Sequence, residues 1–306
     1  MKWPNWNKEK VAISNALVHH SQTTRPLLGI ANNAALEALS MQFIASIRRE
    51  EYYRVVQLKV ISPTRADPNS PLFDAERAVA YHIQNGNTEE ACWLIFLMTH
   101  FARPVDTGWL RLKDVYGGLG HQLWTWQIVR ANPAVFIGWL NSNWTTIRGK
   151  FGNHRKYESL RPSSNRSFDK VLDSYLQMIG NSHIVFFASA VQSAGNNPET
   201  IFEELYKTVG KVFTFGRLAK FDYLALIGRY SIAPIKPGSA YLVGATGPAT
   251  GAKLLFDGNV ISTTPTKTLQ NWLTDLDKDL SVGMQVMEDA ICNWQKSPLN
   301  FVHFKG

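Results

Sequence analysis

Residues 238 to 258 read GSAYLVGATGPATGAKLLFDG: an apolar lead-in at Leu242 and Val243, a turn through Gly244-Ala-Thr-Gly247-Pro248, and a second apolar run ending near Phe256. This pattern predicts a helix, a tight turn and a second helix. Gly247 can take a positive φ at no steric cost, and Pro248 at the first helical position gives up an N–H that would have had no partner. The turn then aims backbone N–H groups at the mouth of a helix, where free amides and the helix dipole stabilise an anion such as a phosphate. Gly244, Thr246, Gly247 and Thr250 line that mouth, and Lys253 follows one turn later.

The charge of the whole chain points the same way. Lysine and arginine outnumber the acids to give +8 and a pI near 9.4, an excess that favours a polyanionic partner without specifying one. With 306 residues, 45% of them hydrophobic, the chain buries a substantial core as one large domain or two intimate lobes. Cys92 and Cys292 are the only cysteines, and their apolar helical contexts argue against a disulfide framework or a cysteine metal site. The start, MKWPNWNKEK, lacks an apolar signal core, and no run approaches eighteen apolar residues; a cytoplasmic protein with no membrane span is expected. Walker loops, dinucleotide fingerprints and zinc spacings are missing from the sequence, so no cofactor or metal is expected.

Helical spacing dominates the rest, and the fold class expected is all-α. Val11 to His20 and Asn33 to Val60 read as helices, the second with Leu36, Leu39, Phe43, Ile44 and Ile47 on one face. The proline-rich loop from Pro63 to Pro71 suggests a boundary, dividing a helical arm (1–70) from a body (71–306) that contains the turn at 238–258. Thr88 is expected to cap a helix with Glu89 and Glu90 in its first turn, where acids complement the dipole, and Ala91 to Phe101 is apolar all round and hence buried. His100 ends that helix, as a core histidine or a pocket group. Later helices start at Phe168, at Asn197-Pro198, near Phe213, at Thr264-Pro265 and at Ser281. Within the one starting near Phe213, Arg217 and Asp222 interrupt an apolar surface and should be paired or functional.

Residues 144 to 170, WTTIRGKFGNHRKYESLRPSSNRSFDK, carry seven basic residues against two acids. Phe151, His154 and Tyr157 interleave with loop formers, which suits a segment that meets both phosphates and an exposed base. Arg148, Lys150 and Lys156 are the candidates for phosphate contact. Asn153, His154, Arg155 and Tyr157, with His100 and Arg217, are the candidates for contact with the base.

Gly247-Pro-Ala-Thr-Gly-Ala-Lys-Leu-Leu255 resembles the second half of the helix-hairpin-helix of the endonuclease III class of DNA glycosylases, with Ala245 in place of the first hairpin glycine. Residues 70 to 300 are similar to the alpha-glutamyl/putrescinyl-thymine pyrophosphorylase family, clade three. The segments that carry the similarity are Asn87 to Phe101, Phe151-Gly-Asn-His-Arg-Lys-Tyr-Glu-Ser-Leu160, Phe215 to Tyr223, the turn region, and Glu288 to Lys296. The resemblance implies a glycosylase-like helical fold of two lobes around a cleft, hypermodified bases of phage DNA as the chemical context, and double-stranded DNA as the partner of a protein acting as a monomer. An anti-phage glycosylase that removes glucosylated bases belongs to the same group.

Two mechanisms are compatible with that resemblance. A glycosylase flips the base and loosens the glycosidic bond while a carboxylate stabilises the sugar's positive charge or activates water. A transferase acting on phosphorylated hydroxymethyluracil lets an amine displace pyrophosphate. The lyase lysine of bifunctional glycosylases would fall at Ala249, which argues against Schiff-base chemistry. Where the family's acid usually follows the hairpin, Ser262-Thr-Thr-Pro-Thr266 offers only hydroxyls, leaving Asp222, Asp257, Glu288 and Asp289 as the candidate catalytic acids.

Overall fold

A computed structural model describes residues 2–304, and those residues are all-helical, with one isolated bridge between Ser159 and Ser167. In chain order the helices are α1 (Asn7–Thr23), α2 (Asn33–Leu58), α3 (Ala75–Gln84), α4 (Thr88–Phe101), α5 (Leu110–Tyr116), α6 (Trp126–Ala131) and α7 (Pro133–Asn143). They continue as α8 (Phe168–Ile179), α9 (His183–Ala194), α10 (Pro198–Val209), α11 (Arg217–Arg229), α12 (Gly247–Asp257), α13 (Thr266–Leu280) and α14 (Met284–Trp294). No helix among the described residues is long and apolar enough to cross a membrane.

The chain divides into two compact units, one made of the residues up to Tyr52 with those from Pro237 onward, the other of Tyr53–Lys236. In the first unit, α12 lies against α13 and α14, and α1 packs on α13. Leu17, Phe43, Leu255, Leu269, Leu273, Met287, Ile291 and Trp294 form its core. Small residues decide how closely α12 approaches α14: a Cβ on Gly247 would stand 2.6 Å from Cys292 Sγ, and one on Gly251 would collide with the carbonyl of Ile291. The two glycines, one helical turn apart, thus form the contact seam of this helix pair.

That seam changes the meaning of the turn. Gly247 is the first residue of α12, and the positive φ (75°) belongs to Gly244. The helix expected before the turn is not formed: between Arg229 and Gly247 the backbone is irregular, with Leu242 buried and Val243 exposed. Pro234, Pro237 and Gly238 leave only Ala240 to Val243 as an apolar run, too short to offset the cost of nucleating a helix. Of the two helices expected around the turn, only the second is formed.

The second unit is arranged around α4, which packs on α3, α5, α6, α9 and α11. Every residue from Glu90 to Phe101 is buried, as its all-round apolarity predicts. Its cap is Asn87, whose side chain accepts from the amide of Glu90, and Thr88 is already the first helical residue. The two acids of that first turn reach out to neighbouring helices. Glu89 accepts from the amides of His183 (2.9 Å) and Ile184 (3.2 Å) at the start of α9, and Glu90 accepts from the amide of Trp126 (2.8 Å) at the start of α6. Consecutive glutamates on one helix so satisfy the orphan N–H groups of two others.

Candidate functional site

The segment 151–158 seats itself on the C-terminal end of α4. The Gly152 amide donates to the carbonyl of Phe101 (2.9 Å), and a Cβ on Gly152 would come within 2.6 Å of that of Ala102, so only glycine fits. Arg155 then enters the interior, 5% exposed. Its guanidinium donates to the His100 carbonyl (3.3 Å), the Thr214 carbonyl (3.0 Å) and the Thr214 hydroxyl (3.1 Å), and Glu158 lies 3.8 Å away. Thr214 is β-branched yet has φ 66°, a conformation that costs energy unless its surroundings impose it; Arg155 holds it from carbonyl and hydroxyl together.

His100 is fully buried beside Phe151 and Phe168, and burial together with the Arg155 charge holds its pKa well below the ordinary histidine value. Its Nδ1 faces the Arg155 guanidinium at 3.3 Å, and its Nε2 has no partner among the described residues. His100 and Arg155, both expected near a base, are thus interior groups. The neighbours of Arg155 in sequence stay outside: Asn153, Lys156 and Tyr157 are exposed, with the Lys156 amine 5.2 Å from the centre of the Tyr157 ring. His154 Nε2 lies 3.8 Å from Asp222 Oδ2, the side chains 41% and 38% exposed. Arg217 stacks its guanidinium 4.8 Å over Phe221.

Acids both distant in sequence and within the segment itself neutralise much of its positive charge. Arg148 makes a two-pronged bond to Asp114 (2.9 and 2.8 Å), Lys150 pairs with Asp106 (2.6 Å), and Arg166 pairs with Glu158.

In the other unit, Asp257 accepts from the Ser262 hydroxyl at 2.5 Å, closing the end of α12. Asp289 accepts from Ser46 (2.5 Å), from Arg49 (3.0 Å) and from Asn293 (2.9 Å). Lys296 donates to Asn293. Glu288 is buried. At the start of α12, Gly247 and Ala249 have amides with no acceptor among the described residues, while the Thr250 hydroxyl donates to the Thr246 carbonyl (2.8 Å). Lys253 is half-buried on the same helix.

A concavity lies elsewhere, at the N-terminal end of α4. It is a cleft of about 810 Å³ lined by His82, Glu89, Glu90, Tyr116, Trp126 and Arg130, together with the polar Asn87, Gln127 and Asn181. Glu90 is 3% exposed and accepts from the Tyr116 hydroxyl (2.7 Å) as well as from the Trp126 amide. Burial raises its pKa, against the pull of those two bonds. Glu89 is the opposite case. Burial pushes its pKa up, but bonds from His183, Ser182 and two amides outweigh it and hold the carboxyl at about 2. His82 is held neutral by burial, its pKa about 4. Arg130 is anchored to the Gly180 carbonyl (2.7 Å) and to Asn181.

Glu90 escapes the sequence reading because an acid in a first helical turn is explained by the dipole alone. The available signal is its position: it opens an otherwise apolar, fully buried helix, where a carboxyl must find partners or a purpose. No group of three or more His, Cys, Asp or Glu among the described residues is placed to hold a metal ion.

No curated protein and no solved structure matches the chain. Residues 34–306 match the model of one family, alpha-glutamyl/putrescinyl thymine pyrophosphorylase clade 3, and the segments that build the end of α4, its cleft and α12 all fall within that match; the chain belongs to this family.

Proposed function

We propose that the protein is an enzyme acting on hypermodified pyrimidines in double-stranded DNA, and that it excises the base as a monofunctional glycosylase in the conflict between phage and host. Membership of a family named for a modified thymine supports the substrate class. The observation that carries the excision reading is the cleft of about 810 Å³, concave, aromatic-walled and holding a buried acid. Such a volume falls within the range of small-molecule sites, which span about 300–1,000 Å³, and leaves space for a base with a substituent. A base reaches it only after flipping out of the stack.

In the first unit, contact with phosphates is assigned to the free amides at the start of α12 and to Lys253; in the second, taken by itself, it is assigned to the exposed Lys156 and Arg161. Ala249 stands where a lyase lysine would be, so the strand is left intact at an abasic sugar. Among the four acids named from the sequence, Asp257 and Asp289 are held by side chains of their own unit, and Asp222 is half-exposed, 3.8 Å from His154 Nε2. The family's description favours a second reading, transfer of an amine onto a phosphorylated base with loss of pyrophosphate.

Duplex DNA carrying bulky modified pyrimidines, and the same sequence unmodified, is incubated with the protein. Free base is followed by mass spectrometry and abasic sites by alkali cleavage. Release from modified DNA alone, without nicking before alkali, is expected. A base that stays attached while pyrophosphate appears, given phosphorylated hydroxymethyluracil DNA and an amine, selects the transferase.

A further inference from the structure

We infer that Glu90 is the general acid of this cleft, donating its proton to the departing base, and that Tyr116 tunes it. The inference rests on the excision reading above. Three features of the structure carry it. Glu90 is the buried carboxyl of the cleft wall, and its two oxygens accept one bond each, from Tyr116 and from the Trp126 amide. A carboxyl oxygen can accept two, so each keeps room for a ligand atom. The wall beside it is aromatic, with Trp126 and Tyr116, which suits the π-face of a base.

The third feature is the contrast between Glu90 and the other ionisable groups around the cleft. From α3, His82 faces the cleft neutral, with a pKa of about 4. From α4 itself, Glu89 stays ionised above about 2. From α5, Tyr116 is pushed far above its ordinary value by burial and by Glu90. On α6, Arg130 is held by the Gly180 carbonyl and Asn181, and behind Glu89 on α9, burial lowers the pKa of His183. Glu90 is raised by burial, the shift that suits a carboxyl to deliver a proton near neutral pH.

The step balances as a hydrolysis. The C1′–N1 bond breaks with its electron pair going to the base, and the Glu90 O–H proton passes to the pyrimidine O2, so that the base leaves neutral. Water adds its oxygen to C1′, and the proton it gives up restores the Glu90 carboxyl. His154 and Asp222 lie at the other end of α4. The ten residues from Glu90 to His100 span about 15 Å at 1.5 Å per residue, so Asp222 does not share this role.

The test compares wild type, Glu90→Gln and Tyr116→Phe for binding to modified duplex and for release of base across pH. Glu90→Gln keeps the shape and an acceptor but has no proton to give. It is expected to bind as wild type and to release base about 10²–10⁴-fold more slowly, the range of general-acid catalysis. The wild-type rate should fall as pH rises through the Glu90 pKa. Tyr116→Phe removes a bond that favours the ionised form, so it should move that fall to higher pH, an effect a merely structural tyrosine would not produce. Release by Glu90→Gln at the wild-type rate would overturn the assignment and leave excision standing, as would an unmoved pH limb in a folded Tyr116→Phe. Wild-type protein that releases no base from any modified duplex would overturn excision and the assignment together.

Discussion

Glu89 Oε2 sits 2.6 Å from His183 Nδ1 and 2.9 Å from the His183 amide, so that one carboxylate oxygen ties α4 to the first turn of α9 through side chain and backbone at once. The imidazole continues the chain inward, its Nε2 2.7 Å from the Tyr175 hydroxyl, which is 3.2 Å from that of Tyr223. With Glu89 ionised and His183 neutral, Nδ1 donates to Glu89 and Nε2 accepts from Tyr175. The second unit is thereby held together by a polar thread through an aromatic core.

The first prediction concerns this thread and acid. A carboxyl held at about 2 in the folded state contributes stability that is complete above its unfolded pKa, near 4.3, and lost as pH falls through the folded value. The shift corresponds to about 3 kcal/mol as an upper bound, reduced because the side chain is 26% exposed. Glu89→Gln should lower the unfolding free energy at pH 7 by about 2 kcal/mol in urea titrations. The gap between variant and wild type should close between about pH 5 and pH 2. A gap that stays constant across that range would show that Glu89 acts through packing alone.

A second prediction separates Arg155 from its exposed neighbours. Removing a buried guanidinium leaves the buried Glu158 carboxylate with Arg166 alone and the strained Thr214 without its partner, at a cost of about 3–5 kcal/mol. Arg155→Ala should therefore be strongly destabilised, while Tyr157→Ala should stay within about 0.5 kcal/mol of wild type, as exposed positions do. Thermal melting of the two variants distinguishes them. Equal melting temperatures would remove Arg155 from the frame.

Much of this frame is legible in the sequence, and the parts that are not share a cause. The buried run Ala91 to Phe101, the Asn197-Pro198 start and the face of α13 follow from local periodicity and caps, which the chain states within a few residues. The missing helix before Gly244 turns on three breakers, Pro234, Pro237 and Gly238, that outweigh a short apolar run. The charge of the basic segment misleads because its acids are remote: Asp114 is 34 residues from Arg148, and Asp106 is 44 from Lys150. The glycines of α12 read in the sequence as turn formers and in the structure form a helix seam, since close approach and positive φ demand the same residue. Glu90 is hidden because a helix dipole already explains an acid there.

A third prediction tests the mouth of α12. Thr246 occupies the cap position but makes no side-chain capping bond. Thr246→Asp should stabilise the protein by about 0.5–1 kcal/mol, because aspartate caps and complements the dipole. It should also weaken DNA binding, because it places a negative charge where a phosphate is proposed to sit. Gly247→Asp is a poorer probe, since its Cβ meets Cys292 Sγ. Stability and affinity both measured on Thr246→Asp should move in opposite directions; unchanged affinity would take the phosphate away from this helix.

A fourth prediction follows from the pairing of the basic segment. Duplex affinity should fall steeply with salt, and Lys156→Ala or Arg161→Ala should each flatten the slope of log affinity against log salt by about 1. Arg148→Ala should instead reduce stability by about 1–3 kcal/mol, the cost of leaving a buried acceptor short of its partner, because Asp114 beneath it is 3% exposed. A salt slope that changes more for Arg148 than for Lys156 would mean that the Asp114 pair opens on DNA.

The most direct measurement of the central claim is the intact mass of a short duplex with one hypermodified pyrimidine, before and after incubation with the protein. Excision predicts a strand lighter by the modified base and heavier by one water, with its backbone whole. A strand that keeps its base and, once phosphorylated hydroxymethyluracil and an amine are supplied, has exchanged pyrophosphate for the amine would contradict it.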